Sequence, residues 1–380
     1  MRIGVEGAGQ MGRYYLANLI EKLRIPPENV AVWDIAPERM AVIQAKYPGI
    51  VAATSGDDFA SKADVFIVAV NTPAHHTEIE RIARHGARSV LCESGTPSIL
   101  CEKPLAQNVT NLRKIRALER RFKDLEISTA LVIAFSPTRK VLLDLINSER
   151  LTLRVFGGRW GKNRGSSKEL RPTAGDLVDE FVHMTEFGLG LVRHQGIRHV
   201  DVVAQVDFLH YVNAEAQRVA HERDPSFPIV PDHSTQALIA ASIQNGETVQ
   251  MSLASSFLEA AQVRSVWGQL AFTGTQDPAR SFSIDFDVEG ADRITLTEVQ
   301  TDEKTVEVMP CDKLLALTEA FIESARSGKR DERLASVEWA GRFVELMEAI
   351  GESDRRRRAG KSRECRVEFQ PRNWLGMRRA

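Results

Sequence analysis

Three side chains in this sequence have the types and surroundings to move a proton and steady a developing charge: Lys103, Asp179 and His183. Lys103 follows the apolar run Ser98-Ile99-Leu100-Cys101-Glu102 and precedes Pro104-Leu105-Ala106. Proline fixes φ, removes a backbone donor and suits the first turn of a helix, so the lysine is predicted at the end of a strand with a helical segment opening after it. In an open α/β protein that end faces the ligand crevice. Asp179 and His183 stand four residues apart in Gly175-Asp176-Leu177-Val178-Asp179-Glu180-Phe181-Val182-His183. On a helix they share a face, so the carboxylate can orient an imidazole that titrates near neutral pH. Asp176 and Glu186 are neighbouring acids that compete for this role, and a solvated, salt-bridged helix face accounts for the same residues equally well.

The elements before Lys103 read as a nucleotide-binding sheet. Arg2 to Val5 is strand-like and runs into Gly7-Ala8-Gly9-Gln10-Met11-Gly12, after which Tyr15, Leu16, Leu19, Ile20 and Leu23 recur at helical spacing. In such a turn Gly7 permits the bend, Gly9 lets a pyrophosphate approach the backbone, and Gly12 allows helix to pack on strand. Glu6 is out of place, since a carboxylate there repels phosphate unless it points away. A second strand, Asn29 to Trp33, ends in Asp34, which suits the two ribose hydroxyls. The next residues are Ile35 and Ala36 rather than arginine, which favours NAD over NADP.

A third strand, Ala63 to Val70, is apolar enough to be buried on both faces and stops at Asn71-Thr72-Pro73-Ala74-His75-His76, where a helix to His85 begins. Adjacent histidines do not face one way on a helix, so packing at the helix start is favoured over a metal pair. The run Ser89-Val90-Leu91-Cys92-Glu93 offers a rival strand end, but only Cys101-Glu102 is followed by Lys-Pro. Leu112, Ile115, Leu118 and Phe122 then mark a helix face, and Ile127 to Phe135 a further strand.

Taken in order, the glycine turn, Asp34, Thr72-Pro73-x-x-His76 and Glu102-Lys103-Pro104 resemble the Gfo/Idh/MocA oxidoreductases. The resemblance extends through Arg139 and the following helix, through Leu153 to Gly161, and into Asp179 and His183, with Phe181 where a glycine is usual. It covers about residues 1 to 352. It implies an α/β chain: a Rossmann doubly wound parallel sheet over residues 1–130, then an α+β domain over 131–352 with an open, largely antiparallel sheet. It implies that Gly7, Gly9, Gln10, Met11, Gly12, Asp34, Asn71, Thr72, Pro73, His76, Glu102 and Lys103 line the cofactor, and that Lys103, Asp179 and His183 are catalytic. Arg139, Trp160 and Arg164 are weaker candidates for the substrate pocket.

The implied reaction passes a hydride between nicotinamide and a carbinol or carbonyl carbon of a sugar, nucleotide sugar or cyclitol. The hydroxyl proton must leave as well, a task that suits His183, while an ammonium at Lys103 polarises the developing carbonyl. No metal is needed, since nicotinamide takes the hydride. Imine reduction, a lyase or isomerase with transient oxidation, and a non-catalytic cofactor-binding regulator are the alternatives. The expected assembly is a homodimer or homotetramer.

Composition narrows the field further. In 380 residues, 50 Lys and Arg nearly balance 51 Asp and Glu, so no overall field points to nucleic acid or a membrane surface. Four cysteines, Cys92, Cys101, Cys311 and Cys365, fit neither zinc-ligand spacing nor a disulfide scaffold, which suits a reducing, cytoplasmic setting. The opening strand leaves no room for a signal peptide, and no apolar run reaches the ~20 residues of a membrane span. The second domain shows β-rich runs at Val200 to Val212, Ser234 to Asn245, Glu247 to Phe257, Gln269 to Gly274, Ser281 to Val288 and Arg293 to Val299. Gln217 to Asp232, with three prolines, reads as a connection near the pocket. Residues 353–380, opening on four arginines from Arg355, read as a basic tail that is solvated or packs against a neighbouring subunit.

Overall fold

The computed structural model describes residues 1–86, 97–163, 176–207, 218–219, 221–222, 234–275 and 277–369. The strand considered at Ser89 to Glu93, most of the Gln217 to Asp232 connection, and residues beyond 369 lie outside these. The chain divides into two compact units: Met1–Phe135 with Lys313–Val344, and Ser136–Asp312 with Glu345 onward.

The first unit holds strands β1 (Ile3–Glu6), β2 (Val30–Trp33), β3 (Val51–Ala52), β4 (Val65–Val68), β5 (Ser98–Cys101) and β6 (Glu126–Thr129). Their spatial order is β6-β5-β4-β1-β2-β3, all parallel, with β15 (Ala335–Ser336) antiparallel outside β6. The apolar runs form this sheet because both of its faces are covered. Ile3, Val5, Val30 and Val32 join Tyr15, Leu16 and Leu19 in the core, while Gly4 lies under the rings of Phe59 and Phe66, where a Cβ would have no room. The direction of winding reverses at β1 and β4. Their carboxyl ends therefore bound the crevice where open α/β sheets bind ligands.

Helices α1 (Gln10–Ala17), α2 (Pro37–Lys46), α3 (Gly56–Ala60), α4 (His75–Gly86) and α5 (Val109–Arg121) connect these strands. Asn108 caps α5, its side-chain oxygen accepting from the Asn111 N–H at 2.9 Å. Two expectations change here. Pro104 opens no helix: the Lys103–Pro104 peptide is cis, and α5 starts only at Val109 behind its Asn108 cap. The strand expected through Phe135 stops at Thr129, and Val132–Phe135 is a 3-10 turn that buries Ile133, Ala134 and Phe135.

The division of the chain also departs from the expected one at residue 130. The helix Lys313–Ser327 returns to the first unit, where Leu317, Phe321 and Ile322 pack with Tyr15, Leu16, Leu100 and Phe135. Residues so far apart in sequence share one core because each presents an apolar stripe. Burying a side chain of this size is worth roughly 1.5–3 kcal/mol.

The second unit is built on a nine-stranded sheet of β7 (Leu151–Asn163), β8 (Ile197–Asp207), β9 (Ser234–Ile243), β10 (Thr248–Ser256), β11 (Leu258–Phe272), β12 (Pro278–Val288), β13 (Ala291–Glu298), β14 (Lys304–Pro310) and β16 (Cys365–Glu368). The order is β14-β13-β12-β11-β7-β10-β9-β8-β16, and every pairing is antiparallel except β7 with β10. Helix α6 (Pro137–Ser148) precedes β7, and α7 (Val182–Val192) lies on the sheet. Met184 of α7 meets Gly158, and Phe156 of β7 meets Gly188, so each glycine admits the other element's side chain.

As far as residue 369, the expected basic tail is a helix end followed by an edge strand. The helix Val337–Arg358 carries Arg355 and Arg356 paired with Glu352, and Arg357 and Arg358 paired with Asp354. Cations also suit the carbonyl end of a helix, so the arginine run is neutralised where it stands. Beyond it β16 adds to β8, with Arg366 bridging Asp201 at 2.6 Å. Among the described residues no helix is long and apolar enough to cross a membrane.

Candidate active site

The expected site residues fall into two groups, one in each unit. In the first, the turn between β1 and α1 is shaped by what its glycines exclude. Gly7 takes φ +94°, and a Cβ on it would stand 2.7 Å from the Ala69 carbonyl oxygen; one on Gly12 would stand 1.6 Å from the Gly7 oxygen. Gly9 is open by contrast, its nearest neighbour being Arg39 Nη1 at 4.0 Å from the Cβ position. The turn is thus closed on its structural sides and free where a pyrophosphate would approach the start of α1. This is the pattern a dinucleotide needs, and the residues present fit one.

Asp34 closes the other wall. Its Oδ2 accepts from the Ala8 N–H at 2.7 Å and its Oδ1 from the Ala36 N–H at 2.8 Å, tying the strand-end loop to the glycine turn. Arg39 Nη1 lies 3.4 Å from the same Oδ2. Arg39 and Ile35 are site candidates missing from the sequence reading. Ile35 is 83% exposed beside Asp34, an unusual place for a large apolar side chain and one that suits a flat base. Arg39 stands five residues after Asp34, beyond the two residues weighed for NADP. The signal for both was their position in the loop and first turn after β2.

Glu6 does point away from the turn. It is fully buried beneath it and accepts a hydrogen bond from Arg81, which also pairs with Glu78 and lies over the Trp33 ring. Burial, with the nearby Glu78 carboxylate, pushes its pKa up to about 9, outweighing Arg81. Gln10 donates to the Tyr14 hydroxyl at 3.2 Å, and Met11 packs against the core. Asn71 stands at the N-cap position of the Thr72–Ala74 turn without a side-chain cap bond, and Pro73 in the turn is buried.

His75 and His76 part company. His75 is 1% exposed, with Nδ1 2.9 Å from the Pro104 carbonyl oxygen and Nε2 3.2 Å from that of Val70. Desolvation pulls its pKa down to about 4. His76 is half-buried, with Nε2 3.5 Å from Lys114 Nζ, and its pKa is lowered by burial and by that lysine. Glu102 is buried, and its Oε1 accepts from the Tyr15 hydroxyl at 2.6 Å while Oε2 accepts from the Lys103 N–H at 3.2 Å. Burial raises the carboxyl's pKa against these hydrogen bonds. Lys103 itself is half-buried at the end of β5.

In the second unit Asp179 lies in a π-helical turn, Leu177–Phe181, that leads into α7, and His183 stands in the first turn of α7. The ordinary helix assumed from the spacing is therefore widened by one residue at the stretch that holds Phe181. Phe181 is 1% exposed, so the bulge keeps its ring inside. His183 is buried and stacks on Trp160, with ring centroids 5.3 Å apart and planes 25° apart. Trp160 Nε1 donates to Glu180 Oε2 at 3.0 Å, its ring meets Phe286 at 5.5 Å, and the Arg264 guanidinium lies 5.5 Å from its centroid.

Weighed as a substrate residue, Trp160 thus has a second task, fixing the imidazole. Arg139 bonds Glu186 at 2.6 Å in a buried pair laid across Gly190, which takes both residues into the packing of α6 on α7. Asp176 is bound by the Ser255 hydroxyl. Arg164 lies outside the described residues.

Comparison with known proteins supports the first unit's reading. Residues 1–126 match the model of the Gfo/Idh/MocA oxidoreductase family, NAD-binding Rossmann fold. No curated protein matches the sequence. Among solved structures, UDP-N-acetylglucosamine 3-dehydrogenase from Acidithiobacillus ferrooxidans aligns at 17% identity and TM-score 0.68 over 93% of this chain and 97% of its own. A 3-ketoreductase from Actinomadura kijaniata in complex with NADP and TDP-benzene aligns at 16% identity and TM-score 0.67, with 93% and 97% covered. An NAD-binding oxidoreductase from Klebsiella pneumoniae aligns at 14% identity and TM-score 0.69, with 97% and 99% covered.

Proposed function

We propose that this chain belongs to the Gfo/Idh/MocA NAD(P)-binding oxidoreductases and interconverts a secondary alcohol and a ketone on a sugar, nucleotide sugar or cyclitol. The observation that carries the reading is the glycine turn, packed shut at Gly7 and Gly12 and open at Gly9, with Asp34 and Arg39 on its far side. Gly9, Gln10, Asp34, Arg39, Asn71, Thr72 and Pro73 would hold the dinucleotide. Nicotinamide, when bound, supplies the hydride acceptor or donor.

The chain's own residues handle the proton and the charge. His183 takes the hydroxyl proton through its imidazole, whose ring plane is set by the Trp160 stack. Lys103 steadies the oxygen as it gains negative charge. Asp179 binds a further hydroxyl or orients His183. Similarity to a UDP-N-acetylglucosamine 3-dehydrogenase and to a 3-ketoreductase bound to NADP and TDP-benzene supports this substrate class.

NAD and NADP are both proposed as cofactors. Asp34 favours the ribose hydroxyls of NAD, while Arg39, with half its side chain exposed, offers a partner for the 2′-phosphate of NADP. A homo-oligomer is proposed on the open face of the second unit's sheet. There Trp267, Gly157, Ser252, Leu238 and Val203 stand opposite one another across β11, β7, β10, β9 and β8. Leu238 is 61% and Trp267 46% exposed, which supports a second copy covering this row.

The test is absorbance at the reduced-nicotinamide band, with wild type and Lys103→Ala screened against polyols, aldoses and nucleotide sugars. Turnover by wild type that disappears in the variant while cofactor binding survives supports the proposal. Tight cofactor binding with no turnover across the panel points instead to oxidation and re-reduction within one cycle, or to a regulator.

A further inference from the structure

The buried His75 has no part in the chemistry proposed above, yet it spans two of the loops on which that chemistry depends. We propose that His75 is a positioning residue for Lys103, its Nδ1–H bracing the Pro104 carbonyl against the start of α4. This rests on the reading that Lys103 works beside the nicotinamide.

The chain around Lys103 is held by two buried side chains, Glu102 before it, itself bonded by Tyr15 of α1, and His75 of α4 after it. On the amino side, the Lys103 N–H donates to Glu102 Oε2, and Glu102 Oε1 accepts from Tyr15, which is fully buried on α1. On the carboxyl side, the Pro104 carbonyl lies 2.9 Å from Nδ1 of His75, the first residue of α4. Helix α1 starts from the glycine turn, and α4 follows directly on Asn71-Thr72-Pro73. The elements proposed to hold the cofactor thus also set the lysine's main chain, and that shared framework gives His75 its purpose.

The chemistry of the ring fits. A neutral imidazole has one N–H to give, and the two oxygens it meets can only accept. The shorter contact, at Pro104, assigns that proton to Nδ1. Nε2 then carries a lone pair and makes no hydrogen bond with the Val70 carbonyl 3.2 Å away, so the bond that holds the lysine's loop is the one to Pro104, and His75 ties that loop to the start of α4 through its own main chain.

The experiment follows the lysine directly. Protein with its lysines reductively ¹³C-methylated is titrated with NAD and NADP, the Lys103 methyl signal being assigned by Lys103→Arg. NADH fluorescence measures binding separately, and thermal unfolding checks each variant. In wild type the Lys103 signal moves as cofactor binds. In His75→Leu we expect cofactor affinity within about threefold of wild type, but a Lys103 response that is lost or split. His75→Asn, whose amide can donate to the Pro104 carbonyl from nearly the same place, should restore it. An unchanged Lys103 response in His75→Leu overturns the proposal, as does an equal loss of fold and binding in the Leu and Asn variants. If cofactor binds wild type and the Lys103 signal stays still, the reading of Lys103 itself fails and the brace fails with it.

Discussion

The imidazole of His183 lies against the indole of Trp160, centroids 5.3 Å apart, and the indole N–H is anchored on Glu180 three residues before the histidine. The stack and the bond together leave the ring little freedom to rotate. Trp160→Leu should lower kcat by roughly tenfold or more, the scale of a misplaced general base, while cofactor affinity stays unchanged. It should also cost about 1 kcal/mol of stability beyond the area lost, from the aromatic contacts. Trp160→Phe should lose less of both. Steady-state kinetics beside cofactor titration separate the effects; equal losses in kcat and cofactor binding would count against this role.

The glycine turn gives paired predictions of opposite kind. Gly9 has φ −70° and open space around its Cβ position, so Gly9→Ala should unfold at nearly the wild-type temperature yet bind NAD(P) at least about tenfold more weakly. Gly12→Ala should instead destabilise the first unit by roughly 1–3 kcal/mol, because its Cβ would meet the Gly7 carbonyl. Calorimetry and fluorescence titration of the two variants decide whether turn closure and ligand approach are separate properties.

Arg39 should discriminate between the cofactors. Hydrogen bonds to charged groups are worth about 1.5–3 kcal/mol, so Arg39→Ala should weaken NADP by roughly 10- to 100-fold and leave NAD within about twofold. Equal changes for both cofactors would show that Arg39 serves only to hold Asp34.

Two buried groups set opposite pH dependences. His75 is neutral in the folded chain down to about pH 4, whereas unfolded it takes a proton near 6.5. Between those values the unfolded state binds more protons, so stability falls as pH drops through this window. His75→Asn should flatten that acid slope. Glu6 holds its proton up to about pH 9 when folded but releases it near 4.5 when unfolded, so its contribution is present at low pH and is lost as pH rises toward 9. Glu6→Gln should remove that decline. Thermal unfolding from pH 4 to 9 reads both slopes, and unaltered slopes in the variants would assign them to other groups.

On the open sheet, Leu238→Glu places a charge in the middle of the exposed row. Sedimentation at micromolar concentration should show a smaller species than wild type, with cofactor binding preserved. No change in mass would remove this face as the contact between copies.

Local chemistry alone settled much of this molecule. A glycine turn between an apolar strand and an amphipathic helix, an acid ending the next strand, and Glu102-Lys103-Pro104 ending another all declare their places, because φ limits, alternation and helical spacing act within a few residues. Other features required distant parts of the chain to meet. Arg39 reaches Asp34 only once α2 turns back beside β2. His75 bridges to Pro104, 29 residues on, and Tyr15 to Glu102, 87 residues on, through contacts between helices and loops that no local pattern encodes. The four arginines from Arg355 read as a tail because their partners, Glu352 and Asp354, become neighbours only in a helix, and because β16 needs β8 to be a strand. Trp160 looked like a pocket wall until the stack with His183 joined residues from a strand and a helix. The sequence thus determined which groups are available and where the chain bends. Tertiary packing decided which buried partners hold them, since hydrogen bonds and ring stacks form between surfaces that folding alone brings together.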